Sequence, residues 1–126
     1  MSVIVLHLRV REAWQQLGPT EPVTNASLDT EGFIHCTDDH GVLLQVANAY
    51  YRRVPGEFVV LHVAVADLTS PCLWEAPAHI NGSGEAFAPS FPHVYGPIDR
   101  EAVVGVESVV RDADGAFVGY ASDRSD

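Results

Sequence analysis

The run FVVLHVAV, Phe58 to Val65, is apolar on both alternating sides except at His62. A strand with no polar face needs cover above and below, so this segment reads as the central strand of a sheet. Upstream of it, Asp38 or Asp39 caps a helix whose apolar face is Val42, Leu43, Val46, Ala47 and Tyr50, with Gly56 beyond its end. Downstream, Leu73-Trp74-Glu75 reads as a short strand, and Val103–Val110 with Phe117–Tyr120 as a hairpin around Asp114-Gly115.

Near the start, Ile4, Leu6, Leu8 and Val10 form one row of a strand and Val3, Val5, His7 and Arg9 the other. Val10, Ala13, Trp14 and Leu17 then recur at helical spacing, and Gly18-Pro19 ends that helix. A loop through Pro22 and Asn25 leads to a short strand, Gly32 to Thr37. Ala76 to Ser90 is rich in Pro, Gly, Ala and Ser and reads as a mobile loop and candidate lid. Two short helices among about six strands predict a single α+β domain with a twisted, mainly antiparallel sheet. Its core is expected over residues 3–120, with a frayed tail at 121–126.

The 126 residues fit one domain, and 47% apolar content supplies a core. No apolar run approaches the roughly 20 residues of a membrane helix. The opening MSVIVLHLRV lacks a signal-peptide pattern, so the cytoplasm is the expected location. The formal charge of −10, with seven scattered arginines and no lysine, argues against general nucleic-acid binding. The acidic surface disfavours long RNA and favours a small-molecule or protein partner. Cys36 and Cys72 have no metal-ligand spacing and read as reduced, apolar fillers.

EGFIHCT, Glu31 to Thr37, raises the functional question, because His35 interrupts a buried strand. Alternation buries Ile34 and Cys36 and turns Phe33, His35 and Thr37 the other way. A Cys36–His35 catalytic pair is therefore geometrically poor. FPHVYGP, Phe91 to Pro97, sets His93 in a stiff, proline-braced turn, with Phe91 and Tyr95 suited to a ring-bearing ligand or to an aromatic clasp over the core. Glu75, beside Trp74, reads either as a general base or hydroxyl-orienting acceptor or as a strand-end charge. His62 reads as a satisfied core histidine, His40 and His79 as solvated, and Glu107 as facing solvent. His7, His35, His93 and Glu75 would suffice for zinc, but no HxH or HExxH spacing supports it, and no metal is expected.

His7 with the helix after it, SLDTEGFIHCT (Ser27–Thr37), Ala47-Asn48, Trp74-Glu75 and FPHVYGPI (Phe91–Ile98) together resemble the bacterial family catalogued as domain of unknown function 952. The resemblance spans roughly Ile4 to Val110. That family's fold looks like that of the ADP-ribosyltransferases, which include RNA 2′-phosphotransferases. The resemblance implies that His7 is the first-strand histidine contacting the ribose of NAD, and that Ile34-His35-Cys36-Thr37 is the second histidine motif. Arg9 stands where the first motif has a hydroxyl residue. The late acidic residue matches either Glu75 or Glu107, with Glu75 preferred. The implied transferase would use His7, His35, Glu75 and His93 as catalytic groups and Arg9, Thr37, Phe91 and Tyr95 for binding, with NAD as substrate. A non-catalytic nucleotide- or metabolite-binding module of the same fold is the alternative, and a partner-binding scaffold draws only on the acidic charge.

Overall fold

The computed structural model describes residues 3–76 and 88–122. Among the described residues, seven strands, three α-helices and two short 3-10 turns follow one another. They are β1 (Ile4–Val10), α1 (Arg11–Gln15), α2 (Ala26–Thr30), β2 (Ile34–His35), α3 (His40–Tyr50), β3 (Phe58–Ala64), β4 (Cys72–Glu75), β5 (Phe91–Val94), β6 (Val103–Arg111) and β7 (Phe117–Ser122).

All strand pairs are antiparallel, but they form two sheets where one was expected: β1-β3-β6-β7 and β2-β5-β4. The two meet edge to edge at one bridge, where the backbones of Leu6 and Thr37 exchange hydrogen bonds of 2.7 and 2.8 Å. The segment Phe58–Ala64 is central to the larger sheet, as its apolar character requires, and pairs with β1 and β6.

Side-chain alternation then divides the interior into two cores. Val5, Val59, Leu61 and Val63 from the larger sheet meet Ile34, Cys36 and Val94 from the smaller one, with Val23, Ile98 and Ala102 completing that core. On the larger sheet's other side, Leu6, Phe58, Val60, Val109 and Phe117 pack against Leu43 and Ala47 of α3. The order of layers is therefore α3, four-stranded sheet, three-stranded sheet.

Asp39 caps α3 by accepting from the Val42 amide at 2.9 Å, which decides between the two expected caps. Asn48 exchanges two hydrogen bonds with the Phe117 backbone, at 2.7 and 3.0 Å, and so ties α3 to the start of β7. Helix α2 was expected as loop; Asn25 caps it, accepting from the Ser27 amide at 3.0 Å, and its five residues are too few to show a periodic apolar face.

The FPHVYGP segment, expected as a turn, enters the smaller sheet as its middle strand. Pro92 is tolerated there because its backbone faces Cys36, whose amide donates to the Pro92 carbonyl at 3.1 Å, just past the end of β2. The ladder loses one donor at a point where its partner strand is already finishing. β7 extends through Ser122, past the boundary expected for the tail. His79 and most of the loop expected over Ala76–Ser90 lie outside the described residues. Among the described residues, no helix is long and apolar enough to cross a membrane.

Candidate functional site

The register of the smaller sheet brings most of the expected site residues to one face. His35 pairs with His93, His93 with Leu73, and Phe91 with Glu75. Paired residues project to the same side, and residues two apart along a strand share it. Phe33, His35, Thr37, Glu75, Phe91, His93 and Tyr95 therefore occupy the face opposite Ile34, Cys36 and Val94. Burial in the core pushes the Cys36 thiol well above its usual range, with Cys72 nearby adding to the effect, so Cys36 is a packing residue and not a nucleophile.

Glu75 is the centre of this face. Its Oε1 accepts from His93 Nδ1 at 2.7 Å and from the Tyr95 hydroxyl. The Tyr95 and His93 hydrogen bonds hold the Glu75 carboxyl below the ordinary carboxylate range, while the same contact raises the Tyr95 phenol. The turn after β5 fixes this geometry. The Tyr95 amide donates to the Pro71 carbonyl at 2.8 Å, and Gly96 has φ of +151°, with a Cβ there falling 2.4 Å from Ser70 Oγ. Only glycine allows that approach without displacing Ser70.

His93 stacks on Phe33 at 4.0 Å between centroids and 22° between planes. The His35 ring lies 5.7 Å from that of His93, edge-on, and its Nε2 is 2.9 Å from Glu31 Oε2. His93 is only 2% exposed and Thr37 5%, whereas the His35 side chain is 45% and that of Glu75 38% exposed. His93 Nε2 and Thr37 Oγ1 are buried with no hydrogen-bond partner among the described residues. Beyond the expected set, the site includes Phe33, through its stacking, and Glu31. Phe33 was readable from the sequence, being two residues before His35 on the same strand.

The β1 residues contribute differently. His7 is 2% exposed and points into the side of the sheet that carries the inter-sheet core, reaching the smaller sheet through its backbone: Nδ1 donates to the His35 carbonyl at 3.1 Å. Burial pushes the His7 imidazole down to about 4, and the neighbouring Arg9 and His35 charges add to this. Neutral His7 is thus a brace behind the His35 strand. Arg9 donates to the Thr24 carbonyl at 2.8 Å and lies 3.5 Å from His7 Nε2. It lines a separate open cleft of about 640 Å³, with Leu8, Thr24, Asn25, Asp29 and Tyr51. The expected meeting of three imidazoles is therefore a meeting of two rings, with the third attached through a carbonyl.

Three residues set aside in the sequence form a second cluster. His40 and His62 both lie against Oε1 of Glu107, with Nε2 at 2.7 and 2.6 Å. His62 is not sealed in the core, and Glu107 does not simply face solvent. Burial opposes ionisation of Glu107, but the His40 and His62 hydrogen bonds outweigh it and hold the carboxyl below its ordinary range.

Fold and face together define a small α+β domain with a braced carboxylate among aromatic and imidazole rings. Residues 9–106 match the family described as protein of unknown function (DUF952), and the chain belongs to that family. The crystal structure of protein CC0527 from Caulobacter crescentus is similar to this chain, with TM-score 0.65, 26% identity, and coverage of 91% of this chain and 93% of that one. The solution NMR structure of CC0527 gives TM-score 0.60 and 24% identity, covering 91% of each chain. No curated protein matches the sequence. Neither the family description nor these structures name an activity, so the likeness to ADP-ribosyltransferases rests on the sequence motifs alone.

Proposed function

We propose that the Glu75 face binds a nucleotide, NAD in the first instance, and acts as an ADP-ribosyltransferase-like enzyme. The observation that carries this reading is the doubly hydrogen-bonded Glu75 carboxylate on the same sheet face as the exposed ring of His35. Breaking the bond between nicotinamide and ribose sends the electron pair out with the neutral base and leaves positive charge on the sugar. A carboxylate held ionised suits that cation, because it stabilises charge where charge develops. The same lowering makes Glu75 a poor proton donor, so acid–base exchange with the acceptor falls to His35, the exposed imidazole of this face.

Phe91 and Tyr95 supply aromatic surface for the leaving ring, and Thr37 a hydroxyl on the same face. Arg9 lines the separate cleft and so stands outside this face, although the resemblance expected it to bind. His7 and His93 act as positioning residues, the first on the His35 strand and the second on Glu75. That assignment departs from the catalytic roles expected for them, for the reason that both rings are buried. A phosphotransferase variant of the same chemistry would draw on the same residues but finds no arginine among those named on this face.

The test is release of nicotinamide from NAD by the purified chain, followed by chromatography. Glu75→Gln should lower the rate by about 10²–10³-fold, the usual cost of losing a preorganised electrostatic contact, while NAD binding followed by thermal shift stays within a few-fold. A second reading, a non-catalytic nucleotide-binding module, is favoured by the burial of His93 and Thr37, which leaves few groups open to a reacting acceptor. Saturable NAD binding without turnover would select the module. Absence of both binding and turnover would sink both readings.

A further inference from the structure

The His40–His62–Glu107 cluster stands apart from the residues used above, and its elements hold it from three directions. His40 begins α3, His62 sits mid-way along β3, and Glu107 comes from β6. Their donor atoms all lie within 4.8 Å of one another. Both imidazoles aim at a single carboxylate oxygen, at 2.6 and 2.7 Å, an arrangement in which two rings converge on one point.

The surroundings fix the rings from outside. Tyr120 packs edge-to-face on His40 at 4.8 Å and 90°, and its hydroxyl donates to the His40 carbonyl at 2.6 Å. The Asp39 cap secures the helix start that carries His40. Gly105 stands opposite His62 on β6, so that position places no side chain against the ring. The cluster is also open to solution, with side-chain exposures of 47% for His40, 28% for His62 and 27% for Glu107.

We propose that His40, His62 and Glu107 bind a divalent transition metal ion of the zinc class, leaving at least one coordination position to water or a ligand. Two imidazole nitrogens and one carboxylate oxygen form a donor set that suits zinc and its first-row neighbours; magnesium and calcium favour oxygen alone. Three protein ligands are the usual complement where a position stays open. Metal–ligand bonds of about 2.0–2.1 Å in a tetrahedron separate donors by about 3.3 Å. The two nitrogen–oxygen separations, 2.7 and 2.6 Å, must therefore widen by about 0.6–0.7 Å while the imidazole nitrogens, within 4.8 Å of one another, settle to the same spacing, a small side-chain adjustment.

The exchange balances without redox chemistry. Each neutral ring gives up its Nε2 proton, regains one at Nδ1, and offers the Nε2 lone pair to the ion. Glu107 trades two N–H donors for the metal. One carboxylate and two neutral rings leave a bound divalent ion with a local charge of about +1, which a chain of formal charge −10 accommodates.

The experiment uses the untagged full chain, stripped with chelator and dialysed. Zn²⁺ is titrated by calorimetry and Co²⁺ by its visible d–d absorption. The expected result is one ion per chain, an intense Co²⁺ band typical of four or five ligands, and no heat with Mg²⁺. His62→Gln and Glu107→Gln should each weaken Zn²⁺ uptake by at least about 10-fold, whereas His35→Gln should leave it unchanged. Should either variant fail to fold by circular dichroism, His40→Gln at the exposed helix start carries the same prediction. Absence of saturable uptake, or uptake indifferent to all three substitutions, would overturn the assignment and leave the trio as a hydrogen-bonded surface network.

Discussion

At the scale of single residues, His7 shows how burial decides what a titratable group does. The ring is held neutral, with its pKa near 4 in the folded chain against about 6.5 when unfolded. The unfolded chain therefore takes up the proton first as the pH falls. Stability from this residue is complete above pH 6.5 and drains away towards pH 4, by up to about 3 kcal/mol. The lowered carboxyls of Glu75, Asp99 and Glu107 also weaken the fold in acid, but only below about pH 5.5, where unfolded carboxylates begin to protonate. Urea unfolding measured between pH 6.5 and 5.5 thus reads His7 with little interference from those carboxyls. His7→Asn, whose amide can still donate to the His35 carbonyl, should flatten the slope across that window. An unchanged slope in the variant would show that His7 is not the group responsible.

At the scale of elements, the turn between β5 and the following segment sets the Glu75 face through one glycine. Gly96→Ala places a Cβ against Ser70 and forces a residue with a side chain to φ of +151°, a region almost reserved for glycine. The expected cost is about 1–3 kcal/mol, measured by denaturant midpoint. Ser70→Gly in the same chain should recover the steric part but not the backbone part. Full recovery would show that the backbone is unstrained there. Most of the element order was legible: the alternation of β1, the two-sided apolarity of β3, a cap at Asp38 or Asp39 and the hairpin turn around Asp114-Gly115 all have local causes. Helix α2 was not legible, because a five-residue helix depends on its cap and on packing more than on period. Nor was β5 legible as a strand, since Pro92 argues against one unless the neighbouring strand happens to stop beside it. The candidate face was half legible. Alternation gave the companions of His35, but only cross-strand register, a long-range property, could unite them with Glu75 and Tyr95. The same limit hid His40, His62 and Glu107, whose separations of 22 and 45 positions match no local motif.

At the scale of the whole molecule, two cores share the larger sheet, and the question is whether they melt as one. Val59, Leu61 and Val63 serve the inter-sheet core, while Phe58 and Val60, on the same strand, serve the α3 core. Neither layer can lose its packing without freeing β3, so a single cooperative transition is expected. The two sides carry separate reporters. Trp14 packs on the inter-sheet core and Trp74 lies in β4, so fluorescence follows that side, whereas α3, the longest helix, dominates far-ultraviolet circular dichroism. Both signals should give the same urea midpoint. Leu43→Ala in the α3 core should lower stability by about 3 kcal/mol, and it should move the fluorescence midpoint as far as the dichroism midpoint. A variant that loses helix signal first, while tryptophan emission keeps its native midpoint, would mean that α3 is a detachable layer. The Glu75 face could then persist without it, whereas the His40 cluster, anchored at the start of α3, could not.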